Sequence, residues 1–222
     1  MDSSSLALCV LLGLASSVMA CEGGSDDALP PGDAAASESG GEQDTESGEP
    51  EQDTESGEPD PTEPLGERPP LGFACDSSPS PTGLFSGDVV PNVVGVDQWG
   101  EELSLYDDLC ERTVLLVRAG FDCGQCNEAA PKYGELHALY GDQGFIVLTM
   151  LHDSYGPISG DQLNLWANGY GLEHPVVLDN DFALSDTYWP GTTARPRTKL
   201  LGPGAVVLRD QPTLEDIAAL FE

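Results

Sequence analysis

The motif Cys123-Gly124-Gln125-Cys126 places two cysteines at the spacing of a thiol–disulfide exchange site. It follows the apolar run Thr113–Val117, which has the composition of a buried strand, and opens residues 124–140, whose apolar spacing is helical. Free N–H groups and the dipole at the start of a helix favour the thiolate, the reactive form of cysteine. The sequence therefore predicts a redox dithiol that a strand delivers to the N-terminus of a helix.

The elements that must position this motif alternate between strands and helices from about residue 84 onward. Strands are predicted at 113–118, 144–151 and 175–178, with a β-rich segment at 89–97 and a hairpin around 202–204. Helices are predicted at 104–109, 124–140, 162–169 and 181–188, with a last one ending near residue 221. This alternation predicts one α/β domain, assigned to residues 73–222.

The N-terminus has the pattern of a secretory signal peptide over residues 1–20. Its apolar run, Leu6–Leu14, is shorter than the roughly 20 residues needed to span a bilayer, and small residues follow it. Cys21 comes directly after Ala20, so we expect a bacterial lipoprotein whose first mature residue, Cys21, carries the lipid. The alternative is an ordinary signal peptide in which Cys21 is incidental.

Residues 21–72 are predicted to form a lipidated, disordered acidic linker. Residues 21–70 contain 16 acidic residues and one basic residue, and a nine-residue unit occurs at 42–50 and again at 51–59. Because this segment has few apolar side chains to bury and its like charges repel, it is expected to stay extended. The net charge of the chain, −31, argues against a nucleic-acid partner and against direct electrostatic binding to anionic lipid.

Two further cysteines, Cys75 and Cys110, belong to the predicted domain. An even number of cysteines in an exported chain fits two disulfides. If the motif cysteines pair with each other, Cys75 is left to pair with Cys110, which would join the start of the domain to the segment before the central strand. The alternative is that one of the two is a free or auxiliary redox thiol.

Several short motifs occur in order along the folded part: Gly87–Asn92, Asp97–Gly100, Leu105–Asp107, a strand and then the Cys-x-x-Cys. Pro131 lies five residues after the second cysteine, and Pro196 precedes the predicted hairpin. Over residues 85–222 this order resembles the TlpA-like thioredoxins, in a lipoprotein version. These proteins belong to the redoxin (AhpC/TSA-like) group, which also holds alkyl hydroperoxide reductases. The segment 155–181 lies where such proteins insert a helix and a strand.

The resemblance implies a thioredoxin-like fold with an N-terminal β extension and a central helix–strand insertion. It also implies a thiol–disulfide oxidoreductase of the bacterial cell envelope, lipid-anchored on the periplasmic or extracytoplasmic face, that acts on cysteines of exported proteins. Cys123 would be the exposed nucleophile and Cys126 the resolving thiol. Pro196 would be the cis-proline of a substrate groove shared with Arg195, Gly124 and Gln125. No dissociable cofactor or metal is implied, and a membrane or periplasmic electron-transfer partner would recycle the dithiol.

The motif departs from the family pattern in its electrostatics. Asp122 stands where an aromatic residue usually precedes the first cysteine, and its carboxylate should raise the pKa of the Cys123 thiol. Val117 stands where thioredoxin keeps a buried Asp, and Glu128 is either a substitute or a solvated helix residue. Arg195, Arg197 and Lys199 lie near the predicted groove. Either Arg195 offsets Asp122, or these cations pair with the acidic surface.

Three other functions remain open. A peroxidase would need Thr or Ser three residues before its reactive cysteine, and that position relative to Cys126 is Cys123. A copper or zinc carrier could use both thiols together with His137, His152 or His174. His137 is expected to face solvent from the long helix, and only His152 is expected near the dithiol. A non-catalytic thioredoxin-fold lipoprotein module would keep the motif as a structural disulfide.

Overall fold

The structure is a computed structural model that describes residues 66–72, 74–76 and 78–222. Its strands are β1 (Val94–Val96), β2 (Glu102–Ser104), β3 (Thr113–Gly120), β4 (Phe145–His152), β5 (Val176–Leu178), β6 (Arg197–Gly202) and β7 (Val206–Asp210). Its α-helices are α1 (Leu105–Asp108), α2 (Gly124–Tyr140), α3 (Gly160–Gly169), α4 (Ala183–Tyr188) and α5 (Leu214–Ala218).

The strands form a central mixed sheet in the order β5-β4-β3-β6-β7. β3 runs parallel to β4 and β4 parallel to β5, whereas β6 and β7 extend the sheet in antiparallel pairing. β1 and β2 form a separate antiparallel pair ahead of the sheet. This architecture confirms the predicted fold class, a thioredoxin-like α/β domain with an N-terminal β extension, and α3 with β5 supplies the predicted insertion.

The central strand β3 is buried on both faces, which explains its continuous apolar sequence. Leu115 and Val117 pack into the core on the side of α2 and α3, whereas Val114 and Leu116 pack on the side of α1 and α4. Hydrogen bonds from β4 and β6 hold both edges of β3. The strand end from which the redox motif emerges is therefore a fixed point of the fold.

Side-chain caps set the starts of the helices. Ser104 caps α1, and Ser159 and Thr213 cap α3 and α5 through capping boxes. The helix predicted from residue 162 begins at Gly160, because the side chain of Ser159 caps it there.

The segment predicted to be β-rich, residues 89–97, forms a regular strand only at Val94–Val96. Pro91 has no N–H to donate to a strand ladder. Asn92 uses its side chain instead, and its Oδ1 accepts a hydrogen bond from the Tyr106 N–H at 3.0 Å. The polar groups here are satisfied by local contacts, so the prediction of a strand was too long.

Ion pairs attach the segment before residue 73 to the domain, and a disulfide attaches the start of the domain itself. Arg68 Nε lies 3.1 Å from Asp97 Oδ2, and Arg68 Nη1 lies 3.0 Å from Glu101 Oε2. Cys75 is bonded to Cys110 across a sequence separation of 35 residues. Contacts with the domain therefore begin before the predicted boundary at residue 73.

The predicted signal peptide, the lipidated Cys21 and the acidic repeats lie outside the described residues. Among the described residues, no helix has the length and apolar character required of a membrane span.

Candidate redox site

The Cys123–Cys126 disulfide lies where β3 ends and α2 begins. Cys123 is the N-cap of α2, with extended backbone angles, and its Sγ accepts a hydrogen bond from the Cys126 N–H at 3.2 Å. One N–H group of the first helical turn, that of Cys126, therefore points at this sulfur. A negative charge on Cys123 would be stabilised by this hydrogen bond and by the positive end of the helix dipole.

The two sulfur-bearing residues differ in exposure. Cys123 is half-buried, whereas Cys126 is 1% exposed and packs into the core. Gly124 and Gln125, between them, are exposed. An incoming thiol or disulfide can therefore reach Cys123 without rearrangement of the fold, and it cannot reach Cys126 directly. α2 continues without a break across the exposed Pro131.

A cis-proline loop faces the dithiol. The Arg195–Pro196 peptide bond is cis, and the carbonyl oxygen of Arg195 lies 3.9 Å from Cys123 Sγ. Pro196 is half-buried and directly precedes β6, which pairs with β3. The structure thus brings the predicted groove residues Arg195 and Pro196 to the reactive sulfur.

Asp122 does not act as a lone carboxylate beside Cys123. Its Oδ2 lies 3.2 Å from Arg195 Nη2, and the two side chains are 15% and 21% exposed. Both alternatives for the nearby cations are realised, because Arg197 and Lys199 pair with Asp210 of the acidic surface, at 3.0 and 3.1 Å. The expected charge repulsion on a Cys123 thiolate is therefore compensated by Arg195.

His152, the last residue of β4, binds the other side of the same guanidinium. Its Nε2 lies 2.9 Å from Arg195 Nη1, and its ring packs against Phe182 with centroids 4.4 Å apart. Burial, followed by the nearby charges of Arg195 and Arg118, lowers the pKa of His152 to about 4. The imidazole is therefore neutral at physiological pH.

The other two histidines lie apart from this arrangement. His174 is fully buried, and its Nε2 lies 3.2 Å from Thr149 Oγ1. The expectation that His137 faces solvent was wrong: His137 is half-buried, and its ring centroid lies 5.9 Å from that of His174. Nowhere in residues 66–72, 74–76 and 78–222 do three His, Cys, Asp or Glu side chains converge in a way that could hold a metal ion.

Val117 is completely buried in the apolar core, and Glu128 is exposed on α2, as expected of a solvated helix residue. One support of the site was not foreseen from the sequence. Asn127 fixes the first turn of α2, because its Nδ2 donates to the Phe121 carbonyl at 3.4 Å and its Oδ1 accepts from Trp166 Nε1 at 3.0 Å. The only sequence signal for this contact is a polar residue directly after the second cysteine.

A half-exposed cysteine at a helix start, a buried partner three residues later and a facing cis-proline define a dithiol protein of the thioredoxin fold. The chain belongs to the AhpC/TSA family, whose model matches residues 86–215. Among curated proteins, no relative matches the sequence.

Solved structures share the fold at low sequence identity. The thioredoxin domain of a thiol–disulfide oxidoreductase from Bacteroides vulgatus has a TM-score of 0.53 at 19% identity, over 63% of this chain and 96% of that chain. A thiol:disulfide interchange protein from Bacteroides sp. has a TM-score of 0.53 at 20% identity, over 63% and 89%. A protein from Chlorobium tepidum, described as a candidate thiol:disulfide interchange protein DsbE, has a TM-score of 0.52 at 23% identity, over 63% and 94%. These similarities confirm the fold, and with the family they agree with the expected oxidoreductase class.

Proposed function

We propose that this protein is a thiol–disulfide oxidoreductase of the bacterial cell envelope, anchored by a lipid on Cys21, that acts on cysteines of exported proteins. One observation carries the proposal: Cys123 is accessible at the start of α2 while Cys126 is buried beneath it. This asymmetry supports a first attack by Cys123 and a second attack, within the protein, by Cys126. The signal-peptide pattern and the Cys75–Cys110 disulfide support an exported, oxidising location.

In the reducing direction the Cys123 thiolate attacks one sulfur of a substrate disulfide. A Cys123–substrate bond forms, the substrate S–S bond breaks, and its other sulfur leaves as a thiolate that takes up a proton. Cys126 then loses its proton and attacks Cys123 Sγ, which closes the internal disulfide and releases the second substrate sulfur. Two electrons pass to the substrate, and the oxidising direction is the same sequence reversed.

The neighbouring residues would shape the groove for this exchange. Gly124 is open to solvent, with no heavy atom within 4 Å of where a Cβ would stand, and Gln125 beside it is exposed. The cis bond before Pro196 turns the Arg195 carbonyl toward Cys123. An extended substrate segment could offer its backbone N–H groups to this loop while its sulfur meets Cys123.

Reduction of insulin disulfides with a dithiol donor tests the proposal. We expect the wild type to accelerate the reaction, Cys123→Ser to be inactive, and Cys126→Ser to accumulate a mixed disulfide that mass spectrometry detects as a covalent adduct. The matched control is the Cys75→Ser/Cys110→Ser double variant, which keeps the redox motif and should retain turnover. If the wild type has no effect on insulin and Cys126→Ser forms no adduct, the proposal fails.

One observation favours a second function, a non-catalytic binding module. Val117 is fully buried in apolar surroundings where thioredoxin keeps a proton-accepting Asp, so Cys126 lacks that route for losing its proton. In such a module the Cys123–Cys126 disulfide would only stabilise the start of α2. The same insulin assay separates the two functions, because a module would show neither turnover nor adduct.

A further inference from the structure

The guanidinium of Arg195 is held on three sides beside the redox motif. Asp122 Oδ2 accepts from Nη2 at 3.2 Å, and His152 Nε2 lies 2.9 Å from Nη1. The third side is the backbone of Gly120: a Cβ there would stand 2.8 Å from Nη1 and 3.0 Å from Cζ. Only a glycine at this position leaves room for the guanidinium where it lies, so the junction between β3 and α2 and the end of β4 converge on one cation.

The hydrogen bond between Arg195 and His152 fixes the tautomer of the imidazole. A guanidinium can only donate, so His152 Nε2 must be an unprotonated acceptor and the ring hydrogen must sit on Nδ1. The low pKa of His152 agrees with this neutral form. His152 therefore contributes no charge to the site, and its effect on the thiols can only come from where it holds Arg195.

The residue that directly follows the helix–strand insertion packs against His152. Phe182, which follows β5, packs against the imidazole at an interplanar angle of 55°. The guanidinium of Arg118 lies over the Phe182 ring, 5.7 Å from its centroid. Asp181 and Phe182 both have left-handed backbone angles, with φ of 66° and 61°, a conformation that costs non-glycine residues free energy. The buried carboxylate of Asp179 secures this turn, since it accepts from two N–H groups at the start of α4.

We propose that His152 is a positioning residue for thiol exchange at Cys123, and that it acts by holding the Arg195 guanidinium against Asp122. This inference rests on the proposed function. Held in this place, the cation cancels the carboxylate next to Cys123, and the Arg195 carbonyl stays in contact with Cys123 Sγ. A chain of contacts through Phe182, His152 and Arg195 thereby connects the strained turn at the end of the insertion with Cys123.

The test measures the rate at which reduced Cys123 reacts with iodoacetamide as a function of pH. Arg195→Met leaves Asp122 unpaired and should lower the rate at pH 7 about three- to tenfold, since a nearby negative charge disfavours the thiolate. His152→Phe removes only the acceptor and should lower it about two- to fivefold, with the same displacement of the pH profile. His152→Gln keeps an acceptor near the position of Nε2 and should restore most of the wild-type profile.

Two further variants make the test independent of changes at His152. Gly120→Ala displaces the guanidinium without changing any charge, and it should move the profile in the same direction as His152→Phe. Arg197→Met is the matched control: it removes a positive charge next to Pro196, but from a residue that pairs with Asp210, and it should leave the profile nearly unchanged. Thermal unfolding of each variant confirms that the domain is folded.

The effects of His152→Phe and Arg195→Met on the alkylation of Cys123 should not add. Because His152 is expected to act only through Arg195, the double variant His152→Phe/Arg195→Met should match Arg195→Met alone. Additive effects, an unchanged profile in both His152→Phe and Gly120→Ala, or a His152→Gln profile identical to that of His152→Phe would each overturn the proposal. A nitrogen NMR spectrum of the wild type that shows His152 protonated at Nε2 would do the same without any substitution.

The alkylation profile is measured on the protein itself and does not require a substrate. If insulin turnover is absent while the variant profiles move as described, the proposed function fails and the positioning role stands. If turnover is present and the profiles do not move, the proposed function stands and the positioning role of His152 fails.

Discussion

The two disulfides lie at opposite ends of β3 and differ in nearly every respect that matters for chemistry. Cys123 and Cys126 are three residues apart at the start of a long helix, with one sulfur accessible and a cis-proline carbonyl beside it. Cys75 and Cys110 are 35 residues apart and join two loop segments, and Cys110 is 2% exposed. We therefore expect the helix N-terminus and the facing loop, rather than the type of bond, to distinguish the proposed redox pair from the other disulfide.

The comparison is tested most strongly by removing the sulfurs of each pair. We expect Cys123→Ser to lower insulin reduction about a thousandfold or more, because it removes the attacking group. The Cys75→Ser/Cys110→Ser variant should keep turnover within about twofold, since its bond lies at the far end of β3. Turnover rates under saturating donor measure both effects. Equal losses in the two variants would show that the disulfides are not functionally distinct.

The two disulfides should have the opposite order of importance for stability. Loss of the Cys75–Cys110 bond frees a loop of 35 residues in the unfolded chain and should lower the free energy of unfolding by about 3–4 kcal/mol. Loss of the Cys123–Cys126 bond frees a much shorter loop and should cost less. Urea unfolding of the oxidised wild type and both double-Ser variants measures the difference. A larger loss on removing the redox pair would contradict the assignment of Cys75–Cys110 as the structural bond.

The buried His174 should affect stability without affecting the chemistry of the proposed redox pair. Burial lowers the pKa of His174 to about 3, whereas an exposed histidine in the unfolded chain titrates near 6.5. The unfolded chain therefore binds an extra proton between these values, so stability falls as the pH drops from about 6.5 toward 3. His174→Gln should remove a destabilisation on the order of 3 kcal/mol at pH 4 relative to pH 7.

Urea unfolding of the wild type and of His174→Gln at both pH values measures this effect. Both proteins keep the other two histidines, so the difference between them reports on His174. The alkylation profile of Cys123 should not change in His174→Gln, because His174 contacts Thr149 rather than the redox site. An acid sensitivity identical to that of the wild type would show that His174 does not contribute.

The smallest expected effect comes from the charge next to the nucleophile. Asp122→Asn leaves the positive charge of Arg195 uncompensated, so the Cys123 thiolate should be favoured and the pKa of the Cys123 thiol should fall relative to the wild type. A stabilised reduced form raises the reduction potential, by about 15–30 mV for a change of roughly 1 kcal/mol. Equilibration with glutathione buffers measures the potential. A potential that falls would mean that Arg195 leaves the site once Asp122 is neutral.

The sequence predicted the redox motif, the fold and the place of the cis-proline because each depends on local patterns or on their order along the chain. It could not predict the contact of Arg195 with His152, because these residues are 43 positions apart and meet only because β4 and β6 pair with the two edges of β3. For the same reason His152 was considered as a metal ligand rather than as a partner of Arg195. His137 was misjudged because its half-buried position depends on packing against His174, which precedes β5.

The supports of the site were hidden for a second reason. Gly120 contributes because it has no Cβ and so leaves room for the Arg195 side chain. Phe182 is placed by a left-handed backbone conformation that few non-glycine residues adopt. Neither feature leaves a periodic pattern in the sequence. Short strands such as β1 are similarly weak signals, because side chains such as that of Asn92 can replace strand hydrogen bonds.

The most direct test of the central claim is the order in which the two disulfides are reduced. The folded, oxidised protein is mixed with a limiting dithiol, quenched in acid, alkylated and digested, and the modified cysteines are counted by mass spectrometry over time. The account predicts that Cys123 and Cys126 are labelled first while Cys75 and Cys110 remain bonded. Earlier labelling of Cys75 and Cys110, or simultaneous labelling of all four, would contradict the assignment of Cys123–Cys126 as the exchange site.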